Sequence, residues 1–250
     1  ADTSGSYDCF GDVGVPNGQL LAVWTPGQEP FELPSNVGTP IAPGSLLVMQ
    51  IHYHPVGPAA DPDLTKVQLR FNGTTPDFYL APSTPIGNFP TALPGGDGLL
   101  TGPDFKIPAY ATNHVETMQI TIPATGQDGQ PLPDVWIYGA AAHMHYIGVD
   151  ATISIERANG DSECLLHDRW DFNWQRIYSY DATLDELPML RAGDKIKVNC
   201  VYDNTLDNPG VVRSLADEGL PAPIDVVLGE ETTNEMCLAL LPLLARLPAQ

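Results

Sequence analysis

Positive charge is scarce in this chain: Lys+Arg number 11 against Asp+Glu 31, a formal net charge of -20. A surface this anionic repels phosphate backbones and acidic lipid headgroups, which speaks against nucleic acid as a partner and fits a soluble, secreted protein. No stretch approaches the roughly 20 apolar residues of a membrane span, so no span is expected. The opening residues, 1–6, lack the charged and apolar regions of a secretory signal, and the chain reads as already processed. Cysteine is sparse too: Cys9, Cys164, Cys200 and Cys237 include no CxxC pair, which argues against a redox or zinc-ribbon motif. They suit one or two disulfides in an oxidising compartment (secreted, periplasmic or cell-surface), with three full pairings open. The sequence also contains no adjacent His-His pair and no HExxH.

What is abundant is punctuation. Gly 23 and Pro 25 cut the chain into short segments and leave little room for long helices, while 43% hydrophobic residues can furnish a core. The expected fold is therefore all-β. Residues 46–54, apolar and β-branched after the Pro43-Gly44 turn, read as a buried strand, 67–71 alternate strictly, and 78–80 form another short strand. Proline and glycine then crowd residues 81–108, which places a domain boundary there: a first domain at 1–85, a connection at 86–104, and a second domain at 105–250. Within the second, 115–122, 135–145, 151–155, 195–202 and 225–228 are candidate strands, whose spacing without helical periodicity favours an antiparallel sandwich over a parallel α/β sheet. Residues 235–246 compete as a helix, but Pro242 would break it, and they are assigned to a strand. The acidic loop holding Asp203, Asn204, Asp207 and Asn208 matches no strong calcium motif.

The sharpest chemical signal is Ala142-His143-Met144-His145-Tyr146-Ile147-Gly148, at the end of an apolar strand. Side chains two apart on a strand share a face, so His143 and His145 can offer two imidazoles to one ion while Met144 points away. The pair alone leaves zinc, copper, iron and nickel open. Nearly ninety residues on, Thr232-Thr233-Asn234-Glu235-Met236-Cys237-Leu238 carries a thioether, and Met236 joined to two histidines would favour monovalent copper over a hard ion. His54 shares a strand face with His52 and is read as a surface or supporting residue. His114 and His167 stand in polar contexts and are read as structural, whereas Trp170, Trp174 and Tyr178 are read as packing residues.

In this order, these elements resemble the copper type II, ascorbate-dependent monooxygenases, the family of peptidylglycine α-hydroxylating and dopamine β-monooxygenases. Phe105-Lys106-Ile107-Pro108, Gly193-Asp194-Lys195-Ile196 and the run from Trp170 to Tyr178 are further similar stretches, the last like bacterial members. The resemblance implies two antiparallel, jelly-roll-like β-sandwich domains, the first incomplete. It implies a copper held by His143, His145 and Met236, which hydroxylates a C–H bond with dioxygen and ascorbate or another one-electron donor. Cys200 and Cys237 match a family disulfide. Gln50-Ile51-His52-Tyr53 is similar to the strand whose histidine, here His52, is one ligand of a second, electron-transfer copper. That copper's His-His pair has no counterpart, and an upstream segment or partner chain is expected to supply it. Where peptide-amidating members hold a substrate carboxylate with an arginine, this chain has Ala141, so peptide amidation is not expected. A noncatalytic secreted copper-binding or structural sandwich is the alternative, and a zinc hydrolase built on the histidine pair is the weakest, for want of a carboxylate ligand motif.

Overall fold

A computed structural model describes every residue except 1–4, 10–12, 17, 26, 27, 29, 31, 54–63, 82–84, 88–104, 127, 128 and 247–250. His54 and most of the connection at 86–104 thus lie outside the described residues. The alternation seen in residues 195–202 is realised in full. In the strand Lys195–Tyr202, Ile196, Val198, Cys200 and Tyr202 are buried while the residues between them are less so. It pairs antiparallel with His114–Thr121 on one side and Gly148–Glu156 on the other, and Ser162–Arg169 completes this four-stranded sheet.

A second layer faces it across a core that includes Ile153, Ile155, Val198 and Tyr202 from the first sheet and Ala140, Met144, Cys237 and Ala239 from the second. Here Tyr178–Ser179, Gly139–His143, Leu238–Leu240 and Ile86–Gly87 form four antiparallel strands in that order. The same chain segments continue into a five-stranded sheet, ordered Val37–Gly38, Phe78–Ala81, Leu243–Arg246, Val135–Ile137 and Met189–Leu190. The break between the two falls at Tyr138 and Pro242, where the proline has no N–H to give. Tyr138 N–H spans the break by donating to Pro242 O at 2.8 Å. Trp136, Phe78, Val37, Leu187 and Leu244 fill a smaller core behind the five-stranded part. The architecture is an all-β sandwich, antiparallel apart from the pairing of Val37–Gly38 with Phe78–Ala81, and within 235–246 the chain forms the two strands Leu238–Leu240 and Leu243–Arg246 on either side of Pro242.

Residues 46–54 depart from expectation. Leu46 to Tyr53 are irregular and largely exposed, Leu46 at 92%, and 67–71 are likewise irregular and exposed. An apolar, β-branched run becomes a strand only where another strand runs alongside it, and none of the described strands takes this segment as a neighbour. The described part of 1–85 instead contributes Val37–Gly38 and Phe78–Ala81 to the five-stranded sheet.

The helix Pro209–Glu218 was not anticipated, although its ends are well signed. The side chain of Asn208 accepts from Gly210 N–H, Pro209 opens the first turn, and Gly219 closes the helix at φ 66. Asn208 also donates to Ile147 O and Asp203 O, and Asn204 to Pro108 O and Ile224 O, so the asparagines of the acidic loop serve backbone carbonyls.

Cys200 and Cys237, both fully buried, form a disulfide with Cα atoms 5.8 Å apart. It ties the middle of one sheet to the segment entering Leu238–Leu240 in the other. Closing a loop of sequence separation 37 removes about 4 kcal/mol of freedom from the unfolded chain. Chemical denaturation with and without reductant should differ by about that amount, whereas Cys9 and Cys164, exposed and unpaired with each other, should give no such effect when alkylated.

Candidate metal centre

The four-stranded half of the second layer has two distinct faces. Ala140, Met144, Cys237, Ala239 and Leu241 enter the main core. Alternation therefore turns Ala141, His143, Leu238 and Leu240 to the opposite face, where register sets Leu238 beside His143 and Leu240 beside Ala141. The chain then turns, yet the rings of His143 and His145 stay on one another, T-shaped with centroids 5.2 Å apart.

Both imidazoles are held by one nitrogen. Gln175 Nε2–H donates to Phe172 O at 2.9 Å, which leaves its Oε1 to accept from His143 Nδ1 at 2.8 Å. His145 Nδ1 donates to Asn234 O at 3.1 Å. In His143, Nε2 is therefore the nitrogen left with its lone pair, as in a metal-binding histidine oriented by an outer hydrogen bond, while the His145 ring also meets the backbone of Glu231. Trp170 adds two constraints: its ring meets that of His143 edge-on at 6.1 Å, and its Nε1–H donates to His145 O at 2.8 Å. Burial lowers the pKa of His143, and that of His145 is brought down to about 4, chiefly by burial with the neighbouring His143 charge second. Both rings are neutral at pH 7.

Met236 is buried, two residues before the strand Leu238–Leu240. Its C=O accepts from the buried Tyr202 hydroxyl at 2.7 Å. Next to it, Glu235 is wholly buried with its carboxylate turned on the histidine turn. Oε2 accepts from His145 N–H at 2.7 Å and Met236 N–H at 3.2 Å, and Oε1 accepts from Ile147 N–H at 2.8 Å. Burial pushes its pKa up to about 8, against backbone donors at His145, Ile147, Met236 and Gly148 that pull it down. One carboxylate thus brings together the histidine-bearing and methionine-bearing segments.

Of the residues singled out from the sequence, the structure sets His143 against His145 and ties the segment of Met236 to them through Glu235, whereas Gln175, Glu235 and the positioning role of Trp170 were not anticipated. Glutamine in a loop carries no periodicity, and only the flanking of Met236 by Glu235 hinted at its part. The other predicted residue, His52, sits on an exposed, irregular segment. His114 pairs with Glu116 at 2.7 Å and His167 with Asp150 at 3.2 Å, and Trp174 is exposed beneath Arg176. Among the described residues, no group of three or more His, Cys, Asp or Glu side chains gathers where it could hold a metal ion. A three-donor site on the histidine pair would therefore need a donor of another kind.

No family model matches the chain. Over 116 residues, 46% of this chain, it is 28% identical to a Homo sapiens protein named "Putative DBH-like monooxygenase protein 2", and the match spans 19% of that protein's length.

The depressed His145 pKa has a definite sign. A folded pKa of about 4 below the ordinary 6.5 means the neutral ring contributes stability that is present above pH 6.5 and lost as pH falls toward 4. In the metal-free protein the His145 ring resonance should move near pH 4, and His145→Asn should remove that part of the acid-induced loss of stability. Glu235→Ala strands the N–H groups of His145, Ile147 and Met236 in the interior. It should cost about 3 kcal/mol or more by chemical denaturation, and Glu235→Gln, which keeps one acceptor, should cost less.

Proposed function

We propose that this chain is the oxygen-reacting part of a copper-dependent monooxygenase-like oxidoreductase, with His143, His145 and Met236 as the metal ligands. The observation that carries this reading is the meeting of two buried imidazoles ring to ring, each with Nδ1 on a fixed acceptor, beside a segment that holds a buried thioether and is tied to them through Glu235. Two neutral nitrogens and a soft sulfur suit monovalent copper better than zinc or magnesium. The human relative's name agrees with the reaction class.

Bound there, copper would supply the activation of dioxygen for C–H hydroxylation. One oxygen atom enters the C–H bond and the other leaves as water, which takes two electrons and two protons; ascorbate or another one-electron donor is the source. The chain's own residues do the remaining work. Gln175 and Asn234 O fix the ring tautomers, Trp170 fixes the His145 carbonyl, and Glu235 holds the ligand segments together. Burial around His145 and Met236 limits bulk water. Within this reading His52 would give one ligand to a second, electron-relaying copper, completed by an upstream segment or a partner chain. The pairing of a buried disulfide with a strongly acidic surface suits a secreted or cell-surface setting.

Met236→Leu preserves side-chain volume and removes the sulfur, so stability should change by less than about 1.5 kcal/mol. X-ray absorption on the reduced, copper-loaded protein should show sulfur scattering in the wild type and none in the variant. Oxygen uptake with ascorbate should fall by about a hundredfold or more, beyond the ~10–100-fold typical of losing a supporting partner. Copper held through nitrogen alone in the wild type would overturn the assignment of Met236, and copper held with its sulfur but without turnover would favour a noncatalytic copper-binding protein.

A further inference from the structure

A cleft of about 570 Å³ opens at the five-stranded sheet, within the ~300–1,000 Å³ of small-molecule sites. Three of the chain's 11 Lys and Arg residues line it: Arg157, Arg191 and Arg246. Strand pairing accounts for two of them. Leu244 and Met189 flank Trp136 in the ladder, and Arg246 and Arg191 each follow two residues later, on the same face and toward the same end. Two strand spacings set their Cα atoms about 10 Å apart, within the combined reach of two arginine side chains. The charges around the cleft are not equally engaged. Arg157 donates to Met189 O, Asp194 Oδ2 and Glu163 Oε2, and so braces the wall at Met189. Of the lining carboxylates, Glu163 is thereby spent, and Asp185 and Glu186 stand 2.8 and 2.7 Å from Thr183 Oγ1. Arg191 and Arg246 are exposed, and among the described residues neither forms an ion pair; Arg246 lies over the Phe78 ring, 5.2 Å from its centroid.

We propose that this cleft binds a small organic monocarboxylate, with its carboxylate between Arg191 and Arg246 and its apolar body against Leu184, Pro188 and Met189. A guanidinium meets a carboxylate through two parallel hydrogen bonds, and two such forks facing one cleft give that group a fixed place. The apolar side chains in the same lining, half-buried themselves, take the body of the molecule out of water. Charge limits the ligand further. Glu163, Asp185 and Glu186 share the lining and the chain carries a net charge of -20, so each added negative charge on a ligand adds repulsion, and a single carboxylate is favoured over phosphate. None of His143, His145 or Met236 lines this cleft, and the proposal does not rest on the oxygenase reading.

The chain's five methionines make methyl-detected NMR on the metal-free protein a direct test, with phenylacetate as the probe. Phenylacetate should shift the Met189 methyl resonance saturably in the millimolar range and leave that of Met236 in place. Phenylacetamide, of the same shape but uncharged, and inorganic phosphate should each bind about tenfold or more weakly. Arg191→Gln and Arg246→Gln should each weaken phenylacetate about tenfold or more, the loss expected for a charged hydrogen-bond partner. Arg246→Lys, which keeps the charge near Phe78 but loses the fork, should weaken it less than Arg246→Gln. The Met118 and Met144 resonances, from the main core, report whether each variant is folded. The proposal is overturned if Met189 shows no saturable shift, if phenylacetamide or phosphate binds as well as phenylacetate, or if the folded Arg191→Gln protein binds phenylacetate as the wild type does.

Discussion

The carboxylate of Glu235 is the constraint on which the candidate centre depends. Burying such a group is costly unless its oxygens are met by donors, and here the donors come from two segments some ninety residues apart. The same bonds that make its burial tolerable fix His145 relative to Met236. Two imidazoles and a thioether bring no charge of their own. A bound monovalent cation would find its counter-charge on Glu235, next in sequence to one ligand and hydrogen-bonded to the backbone of another. The positive ion would in turn favour the ionised carboxylate against the burial that pushes its pKa upward.

Around that clamp the sandwich supplies geometry rather than chemistry. Its two faces are used differently: one joins the main core, and the other, behind Ala141, His143 and Leu240, is covered in part by residues near the start of the chain. Because Thr25 and Gln28 hold the backbone on either side of Arg176, the cover is tied to the loop that orients His143. The state of the covering segment and the setting of His143 are therefore mechanically joined.

What could be read from the sequence follows from where the information is local. Lys195–Tyr202 was legible because each alternate residue announces its face; the strand expected to carry both histidines ends at His143, and the two rings meet across the turn that follows. Residues 46–53 misled because apolar content reports only the capacity to form a strand, whereas a strand needs a neighbour. The helix Pro209–Glu218 escaped because it buries only Val211 and Ser214, too little for an apolar stripe, even though Asn208, Pro209 and Gly219 mark its ends. Gln175 was invisible for a different reason. Its role arises from register between strands, which no local pattern encodes.

The Cys200–Cys237 bridge bears on how the protein matures. Cys237, next to Met236, is covalently fastened to an inner strand of the opposite sheet, so the segment that carries Met236 is steadied only after two thiols have been oxidised. Until that bridge closes, the interior holds two reduced sulfurs, one of them beside Met236, so the setting of this segment follows the redox state of its surroundings.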